Sequence, residues 1–362
     1  MLTYLIVLGA LLLASVVGVW LLPVPLGVRV FLFVAGLLIT GWLAGLRGRL
    51  TQREFARLLF SPKGRPTRLD EMNDSVDHVI NACELHSGED VYFSSRFVAS
   101  YRLGWGTPGD LSLHEAVQSS SALPGAFPPN WLPIARHSFQ AARPETQGTT
   151  RMVLVDGGVY DNQADQWVLG MENRRNRFGK RATFRDADEL ISINASGGLT
   201  WSKVSGMLRF PILGEFLALL LDKSVLYDNG NAVRRELMIS RFTRPGTQLK
   251  GALVHIPRNA LWVAKKYTEE PQVIGDQLPP TDSEAAVRAQ EILGLLGPQE
   301  QQWDNLAKRA GRTKTSLSKL GQARSADLLQ HGYTLAMANL HVILGYPMRP
   351  LPDRARFDAL AS

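Results

Sequence analysis

Cysteine is nearly missing from this chain. Cys83 is the only one among 362 residues, so no disulfide framework within the chain can hold it together, and a reducing compartment suits it. Histidine is scarce too. His78 and His86 lie eight positions apart and His331 and His341 ten apart, spacings that fit no metal site. Asp156, Asp161, Asn162 and Asp165 offer oxygen ligands, but their spacing departs from the EF-hand loop. Neither a metal nor a cofactor is expected.

Charge is missing from a long opening stretch. Leu2 to Leu22 carries none, and after Pro23 and Pro25 a second uncharged run extends from Val30 to Leu46, with Arg29 at its start. The first run has about the length needed to cross a bilayer, and the second nearly so. A cleaved signal peptide competes for the first run, but it calls for a basic leading segment, and no Lys or Arg precedes Leu5. The expectation is a two-helix membrane hairpin over residues 1–46. Seven basic residues follow between Arg47 and Arg68 against Glu54 alone, a net +6 of the chain's +7. The positive-inside rule then places the larger part in the cytoplasm, as a multi-pass protein of the cell membrane. With that cluster set aside the remainder is close to neutral, which argues against a nucleic-acid partner. Two smaller basic stretches, Arg174–Arg185 and Lys308–Arg324, read as solvated helix faces or as phospholipid-facing patches.

Residues 47–75 read as a basic juxtamembrane linker, with Pro62, Gly64 and Pro66 as helix breakers. Residues 76–200 alternate strands, turns and helices, and residues 201–362 are mostly helical in pattern. Two short strands flank the turn His86-Ser87-Gly88, and Ser112 to Glu115 is a capping box opening a helix to Ser121, which Pro124 and Gly125 close. Arg151–Val155 is a short apolar strand, a helix is expected over Gln163–Arg175, and Glu189–Asn194 is another strand. Strands alternating with helices predict a largely parallel α/β sheet covered on both faces. The run 210–221 (FPILGEFLALLL) is too short to span a bilayer; it is a buried helix or an interfacial lid.

The sharpest local feature is LVDGGVYDN, residues 154–162. A strand delivers Asp156 at its carboxyl end, and Gly157 and Gly158 allow the backbone to turn tightly and approach closely. A carboxylate there can act as a base toward a hydroxyl, or it can simply cap local amides.

Two further segments precede it in order: INACELHSGEDVYFSS (80–95) and HEAVQSSSALPGAFPP (114–129). Ala116, Ser119, Ser120, Pro124, Phe127, Pro128 and Pro129, followed by Asp156, Gly157 and Gly158, resemble the rear half of the patatin-like phospholipase family. The resemblance covers about residues 78–200. The stretch 328–347 looks like the tail of a membrane-anchored bacterial branch of the same family. The resemblance implies a three-layer α/β/α sheet, of which this chain holds the C-terminal part. It also implies carboxylic-ester hydrolysis of membrane phospholipids by a Ser–Asp dyad without histidine, in which Asp156 is the proton acceptor and Asp156, Gly157 and Gly158 are its motif.

The sequence departs from that family at the nucleophile. Gly-x-Ser-x-Gly occurs nowhere, and Gly41-Trp42-Leu43-Ala44-Gly45 places Leu43 where the serine would stand. No glycine-rich oxyanion loop precedes the strands. Ser196, between a strand and Gly197-Gly198, has an elbow-like setting but follows the aspartate, against the family's order. Ser119, Ser120 and Ser121 suit packing or capping better. Three readings stay open: an enzyme whose serine-bearing N-terminal half is missing, a split enzyme, or a catalytically silent membrane-anchored module that binds lipid or a partner.

Overall fold

The structure is a computed structural model that describes residues 9–362 apart from 63, 74, 124–126, 183, 185, 186, 196–229, 231, 243–248, 269–282 and 314–319. Pro124, Gly125, Ser196, Gly197, Gly198 and the run 210–221 thus lie outside the described residues. The chain forms two compact units. One runs to Tyr160 and takes in Glu172–Phe184; the other comprises Asp161–Met171 and Arg185–Ser362.

The first unit opens with two helices, α1 (Gly9–Leu21) and α2 (Leu26–Leu58). They pack where small residues let backbones approach, with Gly36 against Ser15, and Trp20 faces Phe33 at 6.5 Å between ring centres. Among the described residues α2 alone is long and apolar enough to cross a membrane: its most apolar window has mean hydropathy 2.0 and none of it is buried. The helix does not end at residue 46. It continues to Leu58 because no proline or turn signal stands before Pro62, and so it absorbs the first part of the expected linker. Within this extension Arg49, Arg53 and Arg57 are exposed one turn apart, whereas Gly48 is buried against Gln118 and Pro128.

A six-stranded sheet follows: β1 (Ile80–Glu84), β2 (Glu89–Phe93), β3 (Val98–Ser100), β4 (Gly104–Gly106), β5 (Asn130–Pro133) and β6 (Arg151–Asp156), in the order β4-β3-β2-β1-β6-β5. Every pairing in it is antiparallel, which corrects the expected parallel sheet. The connections from β1 to β4 are tight turns, and a parallel pair needs a crossover of a dozen or more residues. At the first turn Gly88, at φ +67°, donates to the Glu84 carbonyl at 2.8 Å. Glu84 itself is 4 % exposed, and its carboxylate accepts from the Ser87 N–H at 2.8 Å and the Val153 N–H at 3.3 Å.

The helix α3 (Leu113–Ser120) starts at the expected capping box, where Glu115 accepts from the Ser112 N–H at 2.9 Å. Its Ala116 joins Ala82, Val91, Phe93, Val98, Leu132, Met152 and Leu154 in the core under one face of the sheet. Strand β6 is buried at four consecutive positions, Met152 to Val155, so both its faces are covered.

In the second unit β7 (Glu189–Asn194) pairs in parallel with β8 (Lys250–His255). The strand β8 departs from the mainly helical pattern expected of residues 201–362. The helices α6 (Trp262–Thr268), α7 (Ser283–Leu296), α8 (Glu300–Gly311), α9 (Gln322–Leu344) and α10 (Arg354–Leu360) complete the unit. Leu261, Val263, Ile292, Leu296, Trp303 and Val342 form the heart of its core. The helix expected over Gln163–Arg175 is broken at Gly170 into α4 (Gln166–Leu169) and α5 (Met171–Phe178). The molecule is a mixed α/β protein with an antiparallel sheet, helices and one apolar N-terminal helix able to span a bilayer.

Candidate functional site

Asp156 ends β6, opposite Ala82 of β1. Its own N–H donates to the Ala122 carbonyl at 3.1 Å, and the Gly157 N–H donates to the Ser120 carbonyl at 3.2 Å. The loop is thereby latched to the end of α3 and the residues after it. A side chain at Gly157 would run into Asn81, whose Oδ1 and Cγ lie 2.8 Å from where its Cβ would sit, so glycine is required by the close approach. The Asp156 carboxylate is half-buried, and its Oδ1 accepts from the Gly158 N–H at 2.8 Å. Burial pushes it above the usual carboxylate range, and that one hydrogen bond only partly offsets the shift. A buried carboxylate of raised basicity at a strand end is suited to accepting a proton.

The three serines of α3 and its end separate clearly. Ser119 is fully buried; its hydroxyl donates to the Glu115 carbonyl at 2.8 Å and accepts from Asn130 at 2.7 Å. Ser121 donates to Val117 at 2.8 Å. These two are structural. Ser120 makes no side-chain hydrogen bond among the described residues, and its carbonyl is the one that holds Gly157. Each of the three has a carbonyl one turn back, so the sequence alone does not single Ser120 out.

Asp161 and Asp165 belong to the second unit and are each 2 % exposed. Asp161 accepts from the Gln163 N–H at 3.2 Å and the Gln166 N–H at 2.8 Å, and so caps the helix Gln166–Leu169. Asp165 is pushed up to about 7, first by burial and then by the hydrogen bond and charge of Asp161, against the pull of Arg234. Both side chains are buried, and Asp161 holds the start of that helix through its two backbone hydrogen bonds. No group of three or more His, Cys, Asp or Glu among the described residues could hold a metal ion.

The basic stretch after Met171 is not a plain solvated face either. Arg174 is 8 % exposed and sits 4.9 Å from the centre of the Tyr92 ring. Arg177 stacks on Tyr101 at 4.5 Å and Arg181 on Trp105 at 5.4 Å. Arginine on aromatic faces thus fastens Glu172–Phe184 to the rest of its unit.

No family model matches the chain, and no curated protein or solved structure does so either.

Proposed function

We propose that this chain is the aspartate-bearing part of a membrane-anchored lipid acyl hydrolase of the patatin-like type, with Asp156 as its base. The observation that supports this most is the setting of Asp156. It is a half-buried carboxylate at a strand end, raised by burial, in a loop where a glycine permits another backbone to come close. The reaction would be the attack of an activated serine on a phospholipid ester, followed by hydrolysis of the acyl-enzyme. The serine, on its Gly-x-Ser-x-Gly elbow, and the oxyanion donors would come from a partner segment. In this reading α2 anchors the protein and α1 completes a hairpin with it. The arginines from Arg47 onward hold the larger part on the cytoplasmic side.

A second reading has its own support. The Asp156 carboxylate already accepts from Gly158, two residues on, as a carboxylate that merely caps a turn would. The chain would then be a silent lipid- or partner-binding module.

The two readings part on one experiment. Membranes holding the protein are treated with a fluorophosphonate probe, and the chain is isolated with whatever adheres to it. A labelled polypeptide that accompanies the chain supports the split or partnered hydrolase. With no label in the isolate, the silent module stands. A label on the chain itself, at Ser120 or Ser196, would overturn the partner requirement.

A further inference from the structure

We infer that the first unit carries a binding site for a phosphate group, built from Arg143, Arg177 and Arg181 around Tyr101 and Trp105. This inference is independent of any role for Asp156. The guanidinium carbons of Arg143 and Arg177 each lie 4.5 Å from the centre of the same ring, that of Tyr101. They are therefore no farther apart than twice that distance, close enough for their positive fields to add at the edge of the ring. Arg181 lies over the ring of Trp105, on β4, the strand that follows Tyr101.

None of the three arginines pairs with a carboxylate among the described residues. Arg143 and Arg181 make no side-chain hydrogen bond there, and Arg177 makes one, from Nη2 to the Ala141 carbonyl at 3.2 Å. Nearby Arg102 shows the contrast: it pairs with Glu89 at 3.1 Å and Glu145 at 3.5 Å. Like charges gathered on one ring repel, and an anion relieves that repulsion.

The backbone keeps the row in place. The Arg143 N–H donates to the Arg102 carbonyl at 2.8 Å, and Gln140 and Trp105 exchange N–H···O bonds at 2.8 and 3.1 Å. This loop seats against Gly104, where a side chain would strike the Gln140 carbonyl. Ala141, whose carbonyl receives Arg177, is held at φ +58°, a strained conformation for a residue with a side chain. Tyr101 is 47 % exposed, Arg181 is exposed, and Arg143 and Arg177 are partly so. Their planar forks suit phosphate oxygens, whereas both rings already carry a cation and leave little room for a stacked base.

The phosphate can come from a free phosphate ester or from a lipid headgroup. The full chain in neutral detergent micelles is titrated by calorimetry, once with inorganic phosphate and once with micelles containing phosphatidic acid. Binding of inorganic phosphate identifies a soluble ligand, and binding confined to phosphatidic acid identifies a headgroup; either supports the site. The double variant Arg143→Gln, Arg177→Gln should weaken binding at least ~10-fold, the loss expected for charge-assisted hydrogen bonds. Arg349→Gln, at an exposed position of the second unit, should leave it unchanged. Near-ultraviolet circular dichroism, dominated by Tyr and Trp, reports whether the double variant keeps its fold, and single Arg143→Gln serves if it does not. The inference is overturned if neither probe binds, or if a folded Arg143→Gln or double variant binds as tightly as the native chain.

Discussion

Two buried carboxyl groups and the half-buried Asp156 give this molecule a stability that changes in opposite senses with pH. Asp165 titrates near 7 in the fold, against ~3.9 in an unfolded chain. Between those values the folded state binds more protons, so stability falls as pH rises across that window and levels off above it. Asp156 is shifted in the same direction. Glu84 goes the other way. Burial alone would raise it, but hydrogen bonds from Ser87 and His86 outweigh that and hold it below its usual range. Its contribution is present above the unfolded carboxylate value and is lost as pH falls through the depressed one. Urea denaturation of the full chain between pH 4.5 and 8 should show a midpoint that declines toward neutrality, and Asp165→Asn should flatten the decline. A rise with pH in that range would contradict the raised Asp165. Glu84→Ala strands the Val153 and Ser87 N–H groups and should cost about 1–3 kcal/mol, read from the same midpoint.

At the scale of elements, α2 gives the sharpest test. Helix propensity alone says that Gly48→Ala should stabilise by ~1 kcal/mol. Packing says the reverse, because the new Cβ would lie 2.8 Å from Pro128 Cγ. Gly45, which has nothing within 4 Å of its Cβ position, is the control. In detergent, Gly48→Ala should melt below the native chain and Gly45→Ala should not. Local elements were legible in the sequence because their signals are local. The capping box at Ser112, the turn at Gly88 and the apolar strand into Asp156 all stand where their residues place them. The sheet's direction was misread, although the turn His86-Ser87-Gly88 already implied an antiparallel pair; the alternation of strands and helices elsewhere was given more weight. Strand β8 was legible too, with Pro245-Gly246 just before it and Pro257 just after, but the helical pattern of the surrounding residues was given more weight. The mismatch at Gly48 was invisible because it depends on a residue eighty positions away. Likewise the motif Asp156-Gly157-Gly158 was readable, whereas the uncommitted hydroxyl of Ser120 and the depth of Asp161 and Asp165 depend on tertiary packing.

For the whole molecule, the apolar α2 and the arginines that continue it set an expectation about sidedness. A reporter fused after residue 70 should be active if it works only in the cytoplasm and silent if it works only outside, given six net positive charges by Arg68. The opposite pattern would reverse the orientation.

The most direct test of the proposed hydrolase is the release of fatty acid from labelled phospholipid by the protein isolated from its membranes with its partners, native against Asp156→Asn. The substitution keeps shape and hydrogen bonding and removes the basic carboxylate. The account predicts that release falls ~10²–10⁴-fold while the melting temperature stays put, the effect of losing a general base. Undiminished release by the folded variant, or no release by the native assembly, would contradict it.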